Sequence, residues 1–148
     1  MKKFCSSEHI RPMIRLTGGE LPEVLALTVH DIVPAEYGHI TIKIGIGRRR
    51  RIVFVYDDKI PMQLLDAAVA EGREFLFAEA VPNFDATPDR ALFAYRLYYE
   101  YAQNSQYDYE EYEDYDTGYI YDRLAITLVA RAMGISIADV ASLLNPES

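Results

Sequence analysis

Residues 39–46 read HITIKIGI, with isoleucine at 40, 42, 44 and 46 and Thr41 and Lys43 between them. Successive side chains of an extended strand point to opposite faces, so this alternation gathers the isoleucines on one side. A helix would scatter them around its circumference. The chain must therefore build a sheet with one apolar face and supply something to cover it. Gly47-Arg48-Arg49 makes a short turn, and residues 50–56 (RRIVFVY) return with Ile52, Phe54 and Tyr56 on one face. Upstream, residues 24–33 (VLALTVHDIV) are β-branched and aliphatic and predict a further strand. The three segments predict an antiparallel meander.

Most of the covering surface lies downstream. Residues 61–71 predict a helix with Pro61 near its start and Gly72 as its stop. Residues 74–81 (EFLFAEAV), between Gly72 and Pro82, predict a fourth strand. Thr87-Pro88-Asp89 is a helix start, and the helix runs to residue 103, burying Leu92, Tyr95, Tyr99 and Ala102. Residues 119–133 are apolar over most of a helical circumference, apart from Arg123, Thr127 and Arg131, and predict a buried helix ended by Gly134. Ser136 and Asp139 form the start of a last helix over 137–144. Residues 1–22 read as irregular, with a short strand over 11–16 and a turn at 17–19. The order βββαβααα predicts an α+β fold, a meander of three to four strands packed against C-terminal helices. It predicts one domain over residues 1–148, mainly sheet over 23–81 and helical over 87–145.

The net charge is −8. It is split: residues 1–73 carry 11 Lys/Arg against 9 Asp/Glu, and residues 74–148 carry 4 against 14. Taken as a whole, such a charge argues against direct nucleic-acid binding and against an anionic membrane surface. No apolar run approaches the ~18–20 residues of a membrane span. The single cysteine, Cys5, excludes an intrachain disulfide framework and points to a cytoplasmic location.

The acidic charge concentrates in residues 107–121, YDYEEYEDYDTGYIY. Tyr112, Tyr115 and Tyr119 recur at helical spacing, which predicts an amphipathic helix with Glu110, Glu113 and Asp114 opposite the rings. Like-charged pairs at i,i+3 and i,i+4 strain such a helix by ~0.2–0.5 kcal/mol each. The segment is then a solvated face or the ligand of a basic partner. Carboxylates interleaved with flat rings can occupy a groove built for phosphates and bases. The leading expectation is a non-enzymatic binding or inhibitory protein, a nucleic-acid mimic that engages a basic protein surface. Its contact residues would be Asp108, Glu110, Glu111, Tyr112, Glu113, Asp114, Tyr115 and Asp116. Arg48, Arg49, Arg50 and Arg51 form the complementary tract, suited to a phosphate or an acidic partner. Pairing of the two tracts between copies would give a homo-oligomer.

The alternative is a helix-turn-helix DNA-binding regulator. Residues 126–145 (ITLVARAMGISIADVASLLN) fit that pattern, with small Ala130, turn Gly134, and Ile135, Val140 and Leu143 at apolar positions. The second helix presents Ser136, Ile137, Ala138, Asp139, Ala141 and Ser142, none of them basic. For catalysis the sequence offers little. His9, His30 and His39 are scattered, and Cys5 has no visible base. A calcium-loop frame starting at Asp114 puts Gly118 at the wrong position and Ala125 where a carboxylate is needed. No enzymatic activity, cofactor or metal is expected.

Overall fold

The computed structural model of the chain describes residues 6–34, 38–78, 81, 83–104 and 110–145. A 3-10 turn (Ser6–His9) leads into α1 (Ile10–Thr17). This helix replaces the irregular segment and short strand expected over 1–22. Ile10, Met13, Ile14 and Thr17 are its buried residues, at the spacing of one helical face. Pro12 sits in the first turn, where a missing N–H breaks no helical bond. Gly18 ends α1 at φ 68°, and a Cβ there would run into the Phe93 ring.

The strand expected over 24–33 is mostly helical. α2 (Leu21–Leu25) carries Pro22 in its first turn, and the Glu23 carboxylate accepts the Glu20 N–H at 2.9 Å. A 3-10 turn (Val29–Asp31) follows, leaving only β1 (Ile32–Pro34) extended. β2 (Ile40–Ile44) and β3 (Arg51–Val55) complete an antiparallel sheet in the order β1-β2-β3. Ile42 lies opposite both Ile32 and Val53, and Ile40 opposite Val55. Residues paired across strands share a face, so Val53 and Val55 join Ile40, Ile42 and Ile44 in the core. The side of β3 expected to be buried is the outer one: Ile52, Phe54 and Tyr56 are all exposed. Ile46 is exposed too, because Gly45, at φ 113°, breaks the alternation.

α3 (Lys59–Ala70) stops before Gly72 as expected. Among the described residues of 74–81, the expected fourth strand reduces to one isolated bridge, Thr28 to Phe75. α4 (Thr87–Asn104) buries Asp89, Phe93 and Ala94, while Leu92 and Tyr99, expected inside, are exposed. Asp89 joins α4 to α1, accepting Arg11 at 2.9 Å and Arg15 at 2.8 Å.

α5 (Arg123–Met133) starts four residues later than expected. Asp122 caps it, its Oδ1 accepting the Ala125 N–H at 3.0 Å. Its buried face is Ala125, Ile126, Val129, Ala130 and Met133, and Leu124 is exposed. Gly134 ends α5 at φ 67°, and the Ser136 hydroxyl caps α6 (Ile137–Leu144) by accepting the Asp139 N–H at 3.0 Å. One continuous core joins the inner face of the meander to α1, α3, α4, α5 and α6. The architecture is α+β, with the three-stranded sheet packed against helices. No single described helix is long and apolar enough to cross a membrane.

Candidate nucleic-acid interface

The tip between β2 and β3 is built by glycine. At Gly45 the backbone has φ 113°, and a Cβ would collide with the Arg49 carbonyl. The chain then winds through a 3-10 turn (Gly47–Arg49), closed by the Arg49 N–H on the Ile46 carbonyl and the Arg50 N–H on the Gly47 carbonyl, both at 3.2 Å. So tight a turn sends four consecutive arginines in different directions.

Arg51 goes inward. Its Nη1 donates to Glu23 Oε2 at 2.8 Å and its Nη2 to Glu23 Oε1 at 3.2 Å. Its Nε donates to the Ala132 carbonyl at 2.8 Å, near the end of α5. The side chains of Arg51 and Glu23 are 8% and 6% exposed, so this fork ties β3, α2 and α5 together out of water. Burial pushes the Glu23 carboxyl up, but the hydrogen bonds from Arg51 and the Glu20 N–H and the Arg51 charge outweigh it and hold the carboxyl below its ordinary value.

Arg50 reaches Asp31 at 2.6 Å. Burial opposes ionisation of Asp31 as well, and the Thr28 N–H with Arg50 more than offsets it, leaving that pKa lowered. Arg49 reaches Glu20 at 2.9 Å. Arg90, from α4, approaches the same Glu20 oxygen at 3.9 Å. Arg48 is exposed at the tip. Around the hairpin tip five guanidinium groups thus stand against three carboxylates, a local excess of two positive charges in a chain whose total is −8.

Sequence reasoning singled out the four hairpin arginines but missed Glu20, Glu23, Asp31 and Arg90. One signal was available. Glu20 and Glu23 bracket Pro22, an acid-proline-acid pattern that marks a helix start. It would have placed the Glu23 carboxylate at a helix end.

The acidic tract is not a helix. β4 (Glu111–Glu113) and β5 (Ile120–Asp122) form an antiparallel hairpin with Tyr112 opposite Tyr121. The Asp114 N–H meets the Tyr119 carbonyl at 2.9 Å, and the Gly118 N–H meets the Asp114 carbonyl at 2.7 Å. In this form alternation puts Glu111 and Glu113 in water and half-buries Tyr112, which relieves the crowding a helix would impose. Glu110 lies 4.0 Å from Arg123, whose guanidinium stands 5.8 Å from the centre of the Tyr112 ring. Asp114 is half-buried, Tyr115 and Asp116 are exposed, and Asp108 lies outside the described residues. Among the described residues no ion pair within the chain links this hairpin to the four arginines.

Behind it, Tyr95, Tyr98, Tyr99, Tyr119 and Tyr121 line an open pocket of about 340 Å³. The Asp122 N–H donates to the Tyr98 hydroxyl oxygen at 2.8 Å, and the Tyr95 hydroxyl donates to the Leu144 carbonyl. Burial, followed by the Asp114 charge and neighbouring tyrosines, pushes the Tyr121 phenol up to about 12. Much of the tyrosine content therefore serves as packing where α4 meets β5 and α6.

α5 and α6 meet at a bend of 102°. Ser136, Ala138, Asp139 and Ser142 of this hairpin are exposed, whereas Ala141, expected to be exposed, is buried. α6 carries no cation. The cations beside this bend are the exposed Arg131 in the last turn of α5 and the arginine tip, which the Arg51–Ala132 hydrogen bond holds against the end of α5. Among the described residues, no group of three or more His, Cys, Asp or Glu could hold a metal ion.

No protein-family profile and no curated protein matches this sequence. Solved structures do. The fold is similar to that of the XerH site-specific recombinase bound to difH substrate in a pre-cleavage complex, with a TM-score of 0.61 at 18% identity, over 98% of this chain and 45% of that one. It is similar again to XerH bound to palindromic difH substrate in a post-cleavage complex, with a TM-score of 0.60 at 18% identity, over 97% and 44%. This likeness corrects three expectations: the nucleic-acid mimic and inhibitor, the absence of enzymatic activity, and the avoidance of direct nucleic-acid contact. The physical reason lies in averaging, since a net charge summed over the chain conceals the local positive excess at the arginine hairpin. At this identity the shared property is the fold, and the chain spans less than half the length of the recombinase it resembles.

Proposed function

We propose that this chain is a DNA-binding, recombinase-like module that docks duplex DNA through the arginine hairpin beside the α5–α6 turn. The observation that carries the proposal is the fold likeness, which extends over 98% of the chain and is to a recombinase bound to its DNA substrate. The electrostatics support it. Arg48 is exposed, and the Arg49 and Arg50 side chains are about half exposed around a tip with a positive excess. Such groups position a protein on phosphates without reading bases. α6 offers Ser136, Asp139 and Ser142 but no Arg, Lys, Asn or Gln to a base edge, so affinity is backbone-led and falls steeply with salt.

The test is fluorescence anisotropy with a labelled duplex at about 50 mM salt, followed by a salt titration. Saturable binding that weakens with salt is the expected result. No binding to duplex at low salt contradicts the proposal.

A second reading, strand cleavage, is favoured by one observation: the neighbours are a recombinase captured before and after cleavage. Guanidinium groups can neutralise a phosphodiester during transfer. Conversion of supercoiled plasmid to nicked or topoisomer products supports this reading, and an unchanged plasmid under conditions of full binding removes it.

A further inference from the structure

Two ion pairs near the hairpin tip have opposite character. Glu23 with Arg51 is closed: both carboxylate oxygens are bonded and both side chains are buried. Glu20 is open. It stands 38% exposed, and a single oxygen, Oε1, takes Arg49 at 2.9 Å and faces Arg90 Nη2 at 3.9 Å. The second distance is beyond hydrogen-bond reach. Arg90 Nη2 is buried and has no hydrogen-bond partner. Arg90 is anchored from the other side, its Nε donating to the Gly18 carbonyl at 3.3 Å. Burial draws its pKa down. A mostly buried guanidinium therefore presents an unmet donor toward a place occupied by one partly exposed carboxylate.

We infer that Glu20 occupies a latent phosphate site, its carboxylate filling the place between Arg49 and Arg90 that a DNA-backbone phosphate takes when Glu20 swings out. The inference rests on the DNA-binding reading above and adds a gate to it. A phosphodiester carries the same single charge as the carboxylate and offers two non-bridging oxygens, so it can satisfy Arg49 and Arg90 Nη2 together. An exposed carboxylate–arginine pair is weak and screened by salt, which makes the exchange easy. Glu20 thereby keeps the hairpin from holding phosphates indiscriminately.

The experiment compares the full chain with Glu20→Gln, and with Glu20→Ser as a second variant that retains a good helix-capping side chain. Glu111→Gln removes the same charge from the distant acidic hairpin and serves as control. Each is titrated with labelled duplex across salt, and its thermal midpoint is followed with added inorganic phosphate. Removing the Glu20 charge should tighten duplex binding about tenfold at about 50 mM salt and steepen the salt slope by about one. Glu111→Gln should change affinity less than about twofold, because screening weakens a distant charge. Adding Arg49→Gln to Glu20→Gln should erase the gain. If the Glu20 variants bind duplex as the parent does and phosphate leaves their midpoints unmoved, the latent site is wrong and DNA binding stands. If no protein binds duplex but phosphate raises the midpoint of Glu20→Gln and not of the parent, the anion site stands and the DNA-binding reading falls. If neither response occurs, both fall.

Discussion

The arginine hairpin β2–β3 and the acidic hairpin β4–β5 each crowd like charges into a short stretch, and they disperse them differently. Arg49, Arg50 and Arg51 each find a carboxylate from another part of the chain, and Arg51 carries its charge into the interior. Glu111 and Glu113 leave theirs in water, and Arg123 stands 4.0 Å from Glu110 at the edge. Charge density along a sequence does not decide whether a tract is structural. What decides it is whether the tertiary fold delivers a buried counter-charge, because only a desolvated pair is strongly coupled.

The largest expected effect follows from that difference. Arg51→Ala should destabilise the fold by ~3–5 kcal/mol in a urea titration, since it leaves Glu23 buried without its partner. A loss below about 1 kcal/mol would put Arg51 in the same class as an exposed pair. The same site sets an acid sensitivity. The folded-state pKa values of Glu23 and Asp31 lie below their ordinary values of 4.5 and 3.8. The stability they contribute is complete above those values and is lost as pH falls through the folded ones. The acid limb of the stability curve should therefore flatten in an Arg51→Ala, Arg50→Ala variant, and an unchanged limb would assign it to other carboxylates.

Next comes the helix that follows the acidic hairpin. Ile126→Ala should cost ~2–5 kcal/mol, as a fully buried side chain of α5. Leu124→Ala, on the exposed side of the same helix, should cost less than about 1 kcal/mol. Equal losses would mean that α5 is buried all round.

The smallest effect is expected in the acidic hairpin itself. Glu111→Gln with Glu113→Gln should move stability by no more than about 0.5 kcal/mol. A larger loss would show that these carboxylates have counter-charges as firm as those of the arginines.

Legibility in the sequence followed the same division between local and long-range physics. β2 was readable because Thr41 and Lys43 mark its outer face unambiguously. β3 was misread because both of its faces are apolar: Ile52, Phe54 and Tyr56 are bulkier than Val53 and Val55, and only the pairing of Ile42 with Val53 sets which side is in. The Ser136 cap and the Gly134 stop are local and were read correctly. Asp122 is also a local cap, but the tyrosines before it disguised the start of α5. The acidic tract carried two periodicities, and Gly118, at φ 76°, helped decide for a hairpin. The ion pairs of the candidate site span 29 positions for Arg49–Glu20, 28 for Arg51–Glu23 and 19 for Arg50–Asp31. No periodicity extends that far, so the arginines were visible and their partners were not.

The most direct test of the DNA-binding account is the salt dependence of duplex binding by the parent, by Arg48→Gln and by the Glu111→Gln, Glu113→Gln pair. The account predicts that the parent binds with a negative log–log slope, that Arg48→Gln makes the slope shallower by about 0.9 for one lost phosphate contact, and that the acidic pair leaves it unchanged. A parent that fails to bind duplex at low salt, or an Arg48→Gln variant with the parent's affinity and slope, would contradict it.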